Sequence, residues 1–274
     1  MSTRTTLCAF SVGAFGSLTA AAFLKRHPPG GSHRWARTNY AGSPVTLLEG
    51  PALVAGAVAG ALAGGAGAPA AVAGLGAGAF GALDDHLVGE SVRKGLRGHL
   101  AAASRGEVTT GAIKILGLGA TGLLTSWIID RSRSRTRPIT TLIGGAVIAG
   151  SANIINLLDL RPGRALKVVL LVSGPLVAVV GGTPASSAAA GAAAGAAIAS
   201  LPEDLAGRSM LGDTGANSAG ALLGTALVAR TGLAGRLLAL AVVTALTLAS
   251  ERFSFTTVIE STPGLRELDA LGRS

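Results

Sequence analysis

The sequence predicts an all-α protein: a polytopic integral membrane helical bundle of about nine transmembrane helices, forming a single transmembrane domain over residues 1–274. Three observations predict it. Hydrophobic residues make up 49% of the chain and charged residues only 14%, against roughly 25% charged in soluble domains. Mean hydropathy is +0.55. Apolar segments recur between short polar stretches, and a spanning helix needs ~20 mostly apolar residues.

The first apolar segment, 7–24, follows Arg4 and ends near Ala20-Ala21-Ala22. Its pattern is signal-peptide-like, yet the polytopic remainder makes it a retained first span. Polar residues 25–50 lead through RTNYAGSPVTLLEGP (37–51) into an Ala/Gly tract that reaches residue 84. GGAGAP at 64–69 interrupts this tract, which predicts two short helices. Segments 111–130 and 138–152 form the next pair, around the Arg-rich 131–137. Segments 165–182 and 185–200 turn at GGTP, and 217–230 with 237–250 complete the set. AAAGAAAGAA at 188–197 reads as a closely packed helix, because small residues let helices approach in a bilayer. No Gly-X-Y period supports collagen, and no repeat of fixed length is present. With Cys8 as the single cysteine, no intrachain disulfide can form. The net charge of +9 is scattered among the spans, which predicts attraction to anionic lipid and phosphorylated ligands and no nucleic-acid partner.

Three polar segments carry the chemistry. Asp84 and Asp85 stand in GALDDHLVG, and adjacent carboxylates at a helix end suit Mg2+ or general-base work. Arg93, Lys94, Arg97 and His99 follow, able to hold phosphate. In NIINLLDLRPGR (153–164), Asn153, Asn156 and Asp159 recur every third residue and so share one helical face. Pro162-Gly163 ends the helix, with Arg161 and Arg164 beside the break. In GDTGAN, Gly212 and Gly215 flank Asp213 just before a helix start. Free backbone N–H groups and the positive dipole end there suit phosphate oxygens. The plain alternatives are a solvated helix end for the Asp pair and an N-cap for Asp213. A single site requires these segments on one membrane face. Assigning that face to the cytoplasm places most of the 23 Lys and Arg residues there. RSRSRTR, on the other face, runs against the rule.

In this order, NYAGSPV, LDD, NIINLLD and LGDTGAN resemble the polyprenyl-phosphate N-acetylhexosamine-1-phosphate transferase superfamily, which includes phospho-N-acetylmuramoyl-pentapeptide transferase. The resemblance covers roughly 37–224. It implies transfer of a sugar 1-phosphate from a UDP-sugar to a polyprenyl phosphate lipid, with release of UMP and with Mg2+ as cofactor. It implies Asp84, Asp85 and Asp159 as catalytic, Asp213 as the metal ligand, and Asn153, Asn156, Lys94, Gly212 and Gly215 as substrate-binding. The chain is expected in the inner (plasma) membrane with the active face cytoplasmic, and with nine spans the charge rule then puts the N-terminus outside and the C-terminus inside. A homodimer is the candidate assembly. One departure is clear. The family carries a His-rich loop after its ninth span, whereas residues 251–274 contain no histidine. A reduced sugar-recognition site is therefore expected, and a non-catalytic lipid-binding or scaffolding relative is the alternative. Residues 251–274 are expected to form a cytoplasmic amphipathic tail, with Phe253, Phe255, Val258 and Ile259 as its apolar members.

Overall fold

A computed structural model describes residues 2–39, 42–87, 110–133, 137–178 and 182–273. Lys94 and its basic neighbours lie outside the described residues. Among the described residues the protein is all-α apart from one small hairpin. Its long helices are α1 (Ser2–Arg26), α2 (Glu49–Ala63), α3 (Gly67–Leu87), α4 (Thr110–Ser132), α5 (Pro138–Leu158), α6 (Arg164–Ala178), α7 (Pro184–Leu205), α8 (Gly212–Arg230) and α9 (Leu233–Ser250). Two short helices follow, α10 (Phe255–Ser261) and α11 (Leu265–Ala270). The hairpin pairs β1 (Ala36–Thr38) with β2 (Pro44–Thr46), antiparallel, in the register Arg37 opposite Val45.

The breaks fall where the sequence carries turn chemistry. Gly64 and Gly65 end α2, and Gly65 adopts φ 82°, a conformation glycine enters freely. Pro138 and Pro184 stand in the first turns of α5 and α7, where a missing N–H costs nothing. Thr183 caps α7 by accepting the Ser186 N–H at 3.2 Å.

Helix α8 runs through the middle, its residues buried almost without exception. It packs against α2, α3, α5 and α7. Small residues make this possible: a Cβ on Gly220 would stand 2.4 Å from the Ser151 carbonyl oxygen of α5. Ala188 to Ala197 of α7 are also mostly buried, so this tract is a packed helix as expected.

Among the described residues, four helices are long and apolar enough to cross a membrane: Thr3–Arg26, Gly111–Ser132, Pro138–Leu158 and Leu233–Ser250. They include the most peripheral helices. On α9, Leu237, Leu238, Val242, Leu246 and Leu248 all face outward. Helix α8 meets protein on nearly all sides and can be built largely from Ala, Gly and Ser.

At the end of the bundle remote from the acidic motifs, Arg236 and Asp130 form a two-pronged ion pair at 2.6 and 2.9 Å. Each is only 2% exposed. Thr141 donates to Asp130 at 2.9 Å, and Arg236 donates to the Thr140 and Val228 carbonyls. The cluster ties α4, α5, α8 and α9 together. Arg131 and Arg133, two of the arginines that opposed the charge rule, are also engaged here, together with Arg230. Arg133 donates to the Ala229 carbonyl, Arg230 donates to the Leu176 carbonyl, and Arg131 stacks on Trp127. Cations suit the C-terminal carbonyls of helices, which accounts for their place.

Asp130→Ala or Arg236→Met leaves one charge buried alone and is expected to cost about 3–5 kcal/mol, seen as a lower thermal midpoint in detergent. The double change Asp130→Leu/Arg236→Met should recover most of that loss. A double variant as unstable as the two losses added together would show that the pair is not their cause.

Candidate functional site

Helix α8 starts inside the protein without a cap of its own, since its N-cap position is Leu211. Its first N–H groups need acceptors, and other helices supply them. Asp85, in the last turn of α3, accepts the Asp213 N–H at 3.0 Å and the Thr214 N–H at 2.9 Å. It also takes the Thr214 hydroxyl at 2.6 Å. Asp159, the C-cap of α5, accepts the Gly212 N–H. The N–H groups expected to be open to phosphate thus hold two carboxylates of the protein. Gly212 has φ 59° and lies against the Asp85 carboxylate, while Gly215 lets the Gly50 backbone approach α8.

Asp84 and Asp213 come together on the neighbouring side. Lys114, one turn into α4, bonds to the Asp213 carboxylate and lies 3.5 Å from that of Asp84. Burial first, and then a hydrogen bond with Asp84, push the Asp213 carboxyl up to about 7, with Lys114 opposing. Asp213 sits in the polar segment 201–216, outside the apolar 217–230. Asp84, Lys114, Asn153 and Asn156 line one cavity of about 420 Å³, which Thr247 of α9 and Glu251 just past its end border. Four of the expected residues therefore meet at one end of the bundle: Asp84, Asp213, Asn153 and Asn156.

The Asn153–Asn156–Asp159 stripe does not stay together. Helix α5 ends at Leu158, and Asp159 leaves helical geometry with ψ 47°. Asp159 lines a second cavity, about 320 Å³, with Asp204, Asn39 and Arg161. Burial, and then Asp204, push the Asp159 carboxyl well up. Burial likewise raises Asp204 to about 7, against the Gly163 N–H, Arg273 and Lys167. Glu203, by contrast, is a surface partner of Lys25 and Arg208, each at 2.8 Å.

The C-terminal residues are anchored on the same end. Arg164 holds Asp269 through two bonds of 2.8 and 2.9 Å and donates to Thr256 at 2.8 Å. Lys167 donates to the Asp269 carbonyl at 2.7 Å, Arg273 to the Pro162 carbonyl at 2.8 Å, and Arg161 pairs with Glu260 at 2.9 Å. Although burial works against it, Arg164 and Arg273 hold the Asp269 carboxyl below its usual range. Phe253, Val258, Leu265, Leu268 and Leu271 point outward, as do Arg266 and Glu267, while Asp269 is turned in.

Lys114 was not among the residues singled out from the sequence. Its signal is a lone lysine at the head of an apolar run, a placement that is costly unless paired. Among the described residues, no group of three His, Cys, Asp or Glu could hold a metal ion. Mg2+ is commonly held by one or two carboxylates plus substrate phosphates, and the Asp84–Asp213 pair fits that pattern. No protein-family model matches the chain, and no curated protein matches it.

Two outcomes test this geometry. Asp85→Ala should lower stability by about 1–2 kcal/mol through the lost cap, and Asp85→Asn, which keeps an acceptor oxygen, should lose less. Asp204 has a folded-state carboxyl raised from 3.8 to about 7, so its contribution to stability falls as pH rises across that window. The thermal midpoint should drop accordingly, and Asp204→Asn should flatten the profile. A profile unchanged by Asp204→Asn would remove Asp204 as its cause.

Proposed function

We propose that the chain is a multi-pass phosphoglycosyl transferase of nine spans, resembling the polyprenyl-phosphate N-acetylhexosamine-1-phosphate transferases. It would move a sugar 1-phosphate from a UDP-sugar to a polyprenyl phosphate in the plasma membrane, with its active face cytoplasmic. One observation carries the reading: Asp84, Lys114, Asn153 and Asn156 line a single cavity at one end of the bundle, and Asp213 joins them through its bond to Lys114.

In this reaction an oxygen of the lipid phosphate attacks the phosphorus that bears the sugar. The new P–O bond forms as the diphosphate P–O bond breaks, and UMP leaves with the bonding electrons. The attacking oxygen is already anionic at neutral pH, so the main barrier is repulsion between anions, and charge neutralisation is the largest service a site can supply. Lys114 can give up Asp213 to meet an incoming phosphate. Asn153 and Asn156 offer amide donors and acceptors for a nucleotide. Bound Mg2+, held by Asp213 and Asp84, would supply charge neutralisation at the phosphates. Asp159 would act from the neighbouring cavity, and Asp85 by holding α8 in place. Lys94 keeps the role that the resemblance gives it.

A second reading, a non-catalytic relative that binds polyprenyl phosphate or scaffolds an envelope-assembly complex, is favoured by the tail. Arg161 and Arg164 are taken up by Glu260 and Asp269, and residues 251–274 carry no histidine.

UMP release separates the two. Purified protein with Mg2+, undecaprenyl phosphate and a panel of UDP-sugars should release UMP. Asp213→Asn and Lys114→Ala should each lower kcat by about 10²–10³-fold, and Asp85→Asn far less. No UMP from any donor, beside an active transferase control, would defeat the catalytic reading.

A further inference from the structure

The end of the bundle remote from the acidic motifs has a cavity of its own, about 290 Å³, framed by the starts of α3 and α7 and the ends of α4 and α8. Its walls are mostly hydrocarbon, with Ile128 and Ile129 of α4, Ala185 and Ala189 of α7, and Pro69 of α3. One corner is polar. The Ala229 carbonyl, in the last turn of α8, accepts a bond from the Arg133 guanidinium and another from the Thr183 hydroxyl at 3.4 Å. All three residues line the cavity, so the shared carbonyl brings a cation and a hydroxyl together at that corner.

Charge at this end is one-sided. Arg131, Arg133, Arg137 and Arg230 lie here, and among the described residues the one carboxylate of this end, Asp130, is taken by Arg236. Arginines on the face opposite the acidic motifs also oppose the charge rule once those motifs face the cytoplasm. The level in the membrane is marked as well. Trp127 is 43% exposed, and Arg131 stacks on its ring at 5.2 Å. An exposed tryptophan beside a cation, at the end of a helix apolar enough to span, suits the headgroup level.

Hydrocarbon walls, a cationic corner and a place at the headgroup level together complement an amphiphile with a negative head. Free phosphate would leave the apolar walls uncovered, and a zwitterionic lipid would bring a cation of its own to the arginines. We propose that this cavity binds an anionic glycerophospholipid, its phosphate against Arg133 and Thr183 and part of an acyl chain against Ile128, Ile129 and Ala189. The planar guanidinium of Arg133 presents N–H donors in a fork that matches phosphate oxygens. A lipid held there touches α4 and α7 at once and offsets the arginines around it. The site is separate from the 420 Å³ cavity, and it does not depend on the transferase reading.

The test uses the full chain in detergent. Thermal-shift titrations compare dioctanoyl phosphatidylglycerol with dioctanoyl phosphatidylcholine and with inorganic phosphate. The phosphatidylglycerol should bind at least about fivefold more tightly than either, the scale of one arginine near a lipid surface. Arg133→Ala should remove most of that preference, and Arg137→Ala, outside the cavity lining, should remove much less. A second measurement needs no variant. Brominated phosphatidylglycerol should quench tryptophan fluorescence more than brominated phosphatidylcholine, because Trp127 adjoins the cavity while Trp35 is buried in the hairpin region. Equal binding and equal quenching by the two lipids, tighter binding of inorganic phosphate, no shift with any probe, or a preference unchanged in folded Arg133→Ala would each overturn the proposal. Displacement of phosphatidylglycerol by a lower concentration of undecaprenyl phosphate would also overturn it, since the cavity would then belong to a polyprenyl lipid.

Discussion

The start of α8 is the constraint on which the rest of this end of the protein depends. A helix that begins inside a protein presents N–H groups that must find acceptors, and Leu211 has none to offer. Asp85 and Asp159 meet that need from α3 and α5. Their negative charge also suits the positive end of the helix dipole. Because Asp85 is fixed on α8, Asp84 is carried to the side where Asp213 and Lys114 lie. Because Asp159 is fixed there too, the end of α5 stops beside α8, with Asn156 about one turn back and Asn153 about two. The arrangement of the candidate site is a consequence of capping one buried helix.

That helix could not be central if its surface were rough. A Cβ on Gly81 would stand 2.3 Å from the Asp213 carbonyl oxygen, so α3 and α8 touch backbone to backbone where the carboxylates meet. Much of this was legible in the sequence. GGAGAP, GGTP and the Pro162-Gly163 break gave the helix boundaries, since each needs a conformation or a missing N–H that a helix interior rejects. Among the described residues, α7 and α8 fall outside the four helices whose length and apolar character suit a membrane crossing. Hydropathy measures contact with lipid, and a helix enclosed by other helices is released from that requirement.

The carboxylates were legible because they stand in short polar motifs between apolar segments. Their partners were not. Lys114, Asp130 and Arg236 sit within or beside apolar runs, and nothing local says what neutralises them. Only the packing of α4 against α3, and of α9 against α5, brings their partners within reach. The three-residue spacing of Asn153, Asn156 and Asp159 misled for a related reason: it counts helical turns past the point where α5 stops. Asp204 gave a weak sequence signal, since its burial is set by the hairpin, the α5–α6 turn and the tail closing around it.

Charge balance links these observations to the proposed reaction. Before any ligand arrives, Asp85 and Asp159 are offset in part by the N-terminus of α8, and Asp84 with Asp213 by Lys114. An anionic lipid phosphate approaching the 420 Å³ cavity would compete with Asp213 for that lysine. If the lysine moves to the phosphate, the two carboxylates it leaves repel each other in a partly buried place, and a divalent cation becomes the natural replacement. Substrate phosphate and metal would then favour each other's binding, since each stabilises the charge that the other's arrival exposes. Cooperation of that kind needs a cation already standing between the carboxylates, and Lys114 is in that position.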